Sequence, residues 1–151
     1  ATLLPCPHES NTKHQKPKLP LDNRMADFQR LPHTVLPVVY DLHITPDLKE
    51  LTFQGFVKIT VDVKEETKIV KVNAAELAIQ KVTFSTNEND DGAVSAASIE
   101  LNEKDEVATV TFDANLPLGK GFLSYTYTGI LNDQMKGFYR SKYVVGDEER
   151  W

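Results

Sequence analysis

The sequence predicts an all-β chain, an antiparallel sandwich behind a flexible N-terminal tail, and three observations carry that expectation. From residue 31 onward, apolar residues alternate with polar ones in one run after another. The runs are short and are punctuated by Asn, Asp, Gly and Pro. No stretch carries the apolar stripe of an amphipathic helix, which recurs every 3.6 residues. A sheet with one apolar face has to bury it, so short strands at close spacing indicate two sheets packed together or one sheet closed into a barrel.

Residues 1–30 have no apolar period and contain Pro5, Pro7, Pro17 and Pro20. Such a segment buries too little to offset its ordering entropy and is expected to be a tail. Met25-Ala-Asp reads as an internal start, which makes the first 24 residues an extension. The folded part is expected over residues 31–151. Val38, Tyr40, Leu42 and Ile44 point one way on the first strand, with Val39, Asp41, His43 and Thr45 opposite. Val57, Ile59, Val61 and Val63 alternate with Lys58, Thr60, Asp62 and Lys64 in the cleanest half-buried strand, the valine face inward and the lysine face to water. Further β runs cover Ile69–Asn73, Leu77–Phe84, Ala96–Leu101, Glu106–Phe112 and Phe122–Ile130, and a last one falls near Phe138–Val144. Turns are expected at Pro46-Asp47, Asn89–Gly92, Asn102–Asp105 and Leu118–Gly121, the last as a hairpin.

Composition narrows the function. A chain of 151 residues suits one domain with a real core. Net charge is −5; the first 30 residues hold five basic and three acidic side chains, +2, which leaves −7 on the remainder. That sign argues against nucleic acid or an anionic membrane as a partner. No run approaches the apolar length of a membrane helix, and Leu3-Leu4 before Pro5 is too short for a signal-peptide core. Cys6 is the lone cysteine and no Asn heads a glycosylation sequence, which favours the cytosol.

Motifs that could carry chemistry fall short on spacing. A zinc peptidase helix needs two His at i and i+4 with a Glu beside the first, so that both rings meet one metal and the Glu activates its water. His8-Glu9 begins the pattern, but position 12 is Thr and the next His is His14, which a helix would turn away from His8. Cys6, His8 and His14 supply one ligand too few for a closed site. Asn87-Glu-Asn89-Asp-Asp91-Gly92 matches the front of a calcium loop, but Ser98 stands where a bidentate Glu is required, so an acidic turn is the better account. Gly119-Lys120-Gly121 has Ala114 where a phosphate loop needs Gly, and no Ser or Thr follows its Lys. No Gly-x-Ser-x-Gly elbow occurs. Lys136, Arg140 and Lys142 interleave with Phe138, Tyr139 and Tyr143, which reads as a surface strand more readily than as a base-stacking strip given the acidic remainder.

Several ordered patterns nevertheless resemble one family. Arg30-Leu-Pro32 followed by Pro37-Val-Val-Tyr40-Asp-Leu42, Thr45-Pro-Asp-Leu48 with Phe53-Gln-Gly55, Val72-Asn-Ala-Ala-Glu-Leu77, Gly129-Ile-Leu-Asn-Asp133 and Met135-Lys-Gly-Phe-Tyr-Arg-Ser141 are similar to successive segments of the N-terminal β domain of zinc aminopeptidases with a gluzincin catalytic domain, the puromycin-sensitive branch most closely. The likeness runs from about Arg30 to Arg150. It implies a saddle-like sandwich, incomplete at its C-terminal end, whose parent binds zinc and removes N-terminal amino acids from peptides in the cytoplasm. In that family the exopeptidase loop, the zinc helix and the transition-state Tyr lie past the position of Trp151, so no catalytic, substrate-binding or metal residue carries over onto any position here. The resemblance therefore implies a non-catalytic piece, inactive alone, that lacks a cofactor of its own and partners the catalytic domain of its parent. The alternative is a stand-alone truncated paralogue or splice form that acts as a binding module.

Overall fold

The structure is a computed structural model that describes residues 30–135 and 137–150. The expected tail, with Cys6, His8 and His14, lies outside the described residues except for Arg30, and so does Lys136. Among the described residues there is no helix.

Ten strands follow one another: β1 Val35–Asp47, β2 Thr52–Val63, β3 Thr67–Asn73, β4 Leu77–Ser85, β5 Val94–Ser95, β6 Ser98–Asn102, β7 Val107–Leu116, β8 Gly119–Ile130, β9 Tyr143–Val145 and β10 Glu148–Arg150. They build a five-stranded sheet in the order β1-β2-β8-β4-β5, a three-stranded sheet β3-β7-β6, and a separate β9-β10 pair, all antiparallel. The two larger sheets face each other as a sandwich. Phe112 of the smaller sheet meets Phe84 of the larger edge to face, centroids 6.3 Å apart, and Val70, Val110 and Leu116 complete the core from that side.

Turn chemistry decides the connections. Asp47 Oδ1 accepts hydrogen bonds from the backbone N–H groups of Lys49 and Glu50 at 2.9 and 3.1 Å, and Leu51 takes a left-handed φ of 54° to close the β1–β2 hairpin. Asn102 does the same for β6–β7: its Oδ1 accepts from the N–H of Asp105 at 3.1 Å, with Glu106 at φ 53°. At Ala96-Ala97 the chain changes sheets between adjacent residues. The N–H of Ala96 bonds to Val82 in the large sheet and that of Ala97 to Thr111 in the small one.

Four expectations need correction. The Leu118–Gly121 turn is no hairpin, because β7 and β8 lie in different sheets; Pro117-Leu118 is a corner between them, and Gly119, at φ 94°, already begins β8. The last strand does not cover Phe138–Val144; strand begins at Tyr143 and pairs only with its own hairpin partner. In β1 a bulge between Pro37 and Val39 takes Val38 out of its row, so the inward row is Val35, Pro37, Tyr40, Leu42 and Ile44, opposite Val63, Val61, Ile59, Val57 and Gly55 of β2. Lys58 lies on the expected outer face but not in open water. The 86–93 loop folds back over that face, and Lys58 Nζ sits 2.7 Å from Asp90 and 2.8 Å from the Glu88 carbonyl.

Three glycines of the large sheet give room to aromatic rings of neighbouring strands. A methyl added at Gly55, Gly121 or Gly129 would land inside the rings of Tyr127, Phe84 or Phe53 respectively. A β-strand has no other residue small enough to let a ring lie across it.

Candidate docking surface

The candidate site is a cleft between the two sheets on the β1 side. β2 and β8 supply its floor with Val57, Ile59, Leu123, Tyr125 and Tyr127, β3 one wall with Val70 and Val72, and β4 Leu77 and Ile79. Tyr40 and Leu42 of β1, with Leu31 and Pro32, form the other rim. Its volume is about 440 Å³ and its lining is mainly apolar. The three-stranded sheet is too narrow to roof the five-stranded one, so no other sheet among the described residues covers the edge strand. Tyr40 is 62% and Leu42 53% exposed, whereas Val61 and Val63, in the same inward face one strand over, are each 2% exposed. An apolar surface of this kind, continuous with a core, is the mark of an interface.

The polar side chains of the cleft are His33, Lys71, Asn73 and the tyrosines Tyr40, Tyr125 and Tyr127. The Tyr125 hydroxyl is buried without a hydrogen-bond partner. Burial, and secondarily the neighbouring Tyr40, push its pKa far above the ordinary tyrosine value. A phenol held neutral in an apolar setting neither activates water nor binds metal at physiological pH. The Tyr127 pKa is raised by burial as well. No His, Cys or carboxylate lines the cleft floor, and among the described residues no group of three or more His, Cys, Asp or Glu converges as a metal site.

The remaining sequence candidates are placed as follows. In the acidic 87–92 loop, Asp90 pairs with the Lys58 ammonium at 2.7 Å. Ser85 Oγ donates to the Asp91 carbonyl at 3.2 Å and accepts from the Asn87 N–H at 3.0 Å, closing the loop as a turn. Lys120 lies over the Phe122 ring, 5.0 Å from its centroid, far from any phosphate-binding geometry. Phe138 stacks edge to face on Phe53 at 5.4 Å, while Tyr139 and Tyr143 remain 42% and 53% exposed. The N–H of Arg140 bonds back to the Asn132 carbonyl at 2.9 Å, and Asn132 Nδ2 donates to Glu76 at 2.9 Å, so this segment is folded against the end of the large sheet rather than running as a strand. Sequence reasoning missed the cleft itself. Its only signal was the apolar row of β1, read as pointing one way with nothing to say what faces it.

Comparison with known proteins fits this picture. Residues 36–151 match the family model of the peptidase M1 N-terminal domain. Aminopeptidase M1-C of Oryza sativa subsp. japonica is 40% identical over 121 residues, 80% of this chain and 13% of that protein. Aminopeptidase M1 of Arabidopsis thaliana is 39% identical over 122 residues, 80% of this chain and 14% of that protein. Puromycin-sensitive aminopeptidase of Caenorhabditis elegans is 34% identical over 116 residues, 77% of this chain and 12% of that protein. The chain thus spans a small fraction of the length of the relatives it matches. A further relative, 36% identical, is the yeast Aminopeptidase 2, mitochondrial. Among the described residues no helix is long and apolar enough to cross a membrane.

Proposed function

This chain belongs to the peptidase M1 N-terminal domain family, and from that premise we propose that it is the non-catalytic N-terminal β domain of a zinc aminopeptidase that releases N-terminal amino acids from peptides. The observation that supports this most is the family match over residues 36–151. In the parent enzyme the catalytic domain would hold the zinc and the peptide, and the metal would supply Lewis-acid chemistry for hydrolysis of the first peptide bond. No zinc ligand set fits among the described residues, so no step of that reaction is assigned to this chain. Its part is to dock: the apolar cleft beside Tyr40, Leu42, Val57 and Val72 receives other polypeptide of the same enzyme, and the domain shapes the substrate channel from one side. Residues 31–151 form the docking domain and residues 1–30 a tail. The setting is the cytoplasm.

The experiment has two arms. The purified chain, with zinc added, is assayed with aminoacyl-naphthylamide substrates beside metal analysis; the expected result is no turnover and no stoichiometric zinc. The catalytic domain of the parent, supplied as a separate chain, is expected to raise the melting temperature by mass action. Chelator-sensitive turnover by the chain alone, or a melt indifferent to the added domain, would contradict this reading.

A further inference from the structure

The four outer edges of the two large sheets are not alike. β5 is only two residues long. β3 carries Lys68 and Lys71, and β6 is five residues long with Glu100 at its centre. Short strands and charged side chains are the usual ways in which a sheet edge is kept from pairing with another chain. β1 is the exception, a 13-residue edge strand without a single Lys or Arg. Its guards stand at its ends: Pro37 and the bulge after it on one side, Pro46 on the other. Between them, residues 39–45 form a regular run whose outer backbone donors and acceptors no other described strand pairs.

That run is complementary to itself. Laid antiparallel on a second copy about a two-fold axis at Leu42, it sets Leu42 against Leu42 and Tyr40 against Ile44 on the cleft side. On the opposite side it sets Val39 against Thr45 and Asp41 against His43. Leu42–Leu42 and Tyr40–Ile44 are largely apolar pairs, Val39–Thr45 joins two β-branched side chains, and Asp41–His43, which sets an acceptor against a donor, occurs twice. Asp41 and His43 are free to take part: their side chains are 69% and 68% exposed, their mutual contact within one strand is 3.3 Å, and His43 rests on the Phe56 ring at 6.3 Å. Shifting the pairing by two residues, about the neighbouring axes at Asp41 or His43, would set Asp41 against Asp41 or against Thr45 in place of His43, so the Asp–His match selects the Leu42 register.

We propose that two copies of this chain pair edge to edge through residues 39–45 of β1, antiparallel about a two-fold axis at Leu42, and join their five-stranded sheets into one. The pairing shares the rim residues Tyr40 and Leu42 with the docking role proposed above, but self-association of the chain alone requires no catalytic domain, so either reading can fail without the other.

Sedimentation velocity on the full 151-residue chain, from about 1 to about 500 µM to cover a small, weak interface, is expected to show reversible monomer–dimer exchange. His43→Asp faces Asp41 with a second carboxylate at both symmetric positions and is expected to raise the dissociation constant about tenfold, whereas the exchange Asp41→His with His43→Asp restores it. Both side chains are exposed, so the fold is retained in each variant, which a thermal melt checks. In a Cys6→Ser background, Leu42→Cys lies on the axis and cross-links to its own copy under mild oxidation. Thr45→Cys lies about 20 Å from its copy and does not. A chain monomeric over the whole range overturns the pairing. So does a dimer that is indifferent to His43→Asp or that cross-links equally through Thr45→Cys, since it would use another face or register.

Discussion

β1 and β2 are antiparallel neighbours, in register apart from the bulge at Val38, and their sequences alternate almost equally well, yet they meet opposite fates. The inward row of β2 is core: Ile59, Val61 and Val63 are 6%, 2% and 2% exposed. The matching row of β1 is surface, with Tyr40 and Leu42 more than half exposed. The difference comes from what lies across. β2 and β8 face Val70, Val110 and Phe112 of the three-stranded sheet, whereas β1 extends past the edge of that sheet. Alternation reports which side of a strand is apolar. It does not report whether anything covers that side.

The contrast is sharpest in the response to truncation. Phe112 is 2% exposed at the centre of the sandwich, and Phe112→Ala is expected to cost about 3–5 kcal/mol through lost transfer energy and the cavity left behind. Leu42→Ala, on the open side, is expected to cost less than about 1 kcal/mol. Denaturant melts of the two variants check the ranking, and equal losses would mean that β1 is covered.

Adding volume probes the same boundary from the other direction. Gly129→Ala drives a methyl into the Phe53 ring between β2 and β8, and the expected loss is about 1–3 kcal/mol. If thermal melts showed this variant as stable as the parent, the ring would have an open place to move into and the closed side would be looser than described.

A smaller effect separates the two faces of β2. Val61→Ala removes two buried methyl groups and is expected to cost about 1–2 kcal/mol. Lys58→Ala releases a partly shielded ion pair with Asp90 and a hydrogen bond to Glu88, and is expected to cost up to about 1 kcal/mol. A larger loss from Lys58→Ala than from Val61→Ala, in chemical denaturation, would reverse the two faces.

The gentlest probe is alkaline titration. The Tyr125 pKa is raised in the folded chain above its ordinary value of 10.0, so the folded state holds that proton more tightly than the unfolded state. Its contribution to stability is complete below pH 10 and is lost as pH rises above it. Spectrophotometric titration of the phenols should show one tyrosine that ionises only as the chain unfolds. Tyr125→Phe should flatten the alkaline fall in stability.

Much of the fold was legible in the sequence because its signals are local. The alternation of β2 and the Asp47 and Asn102 turns depend on neighbouring residues, and the structure places them as expected. What was not legible depends on distance along the chain. Gly119-Lys-Gly121 looks like any hairpin, and only the pairing of β7 with β3 and β6, and of β8 with β2 and β4, makes it a corner. Lys58 looked solvated because its cover, the 86–93 loop, lies some thirty residues away. Residues 138–142 have the composition of a strand, but the hydrogen bond from the Arg140 N–H to the Asn132 carbonyl and the packing of Phe138 on Phe53 hold them as an irregular segment. The cleft was not legible for the same reason, since it depends on how far the three-stranded sheet reaches across the five-stranded one.

The division into a closed and an open side is tested most directly by residue-resolved hydrogen exchange on the chain at a dilution where it is monomeric. Amides of β2 and β8 within the sandwich are expected to exchange only through global unfolding, and those of residues 39–45 that point away from β2 to exchange orders of magnitude faster. Uniform protection across β1, β2 and β8 would contradict the account, because it would require a covered β1 and leave no open surface for docking.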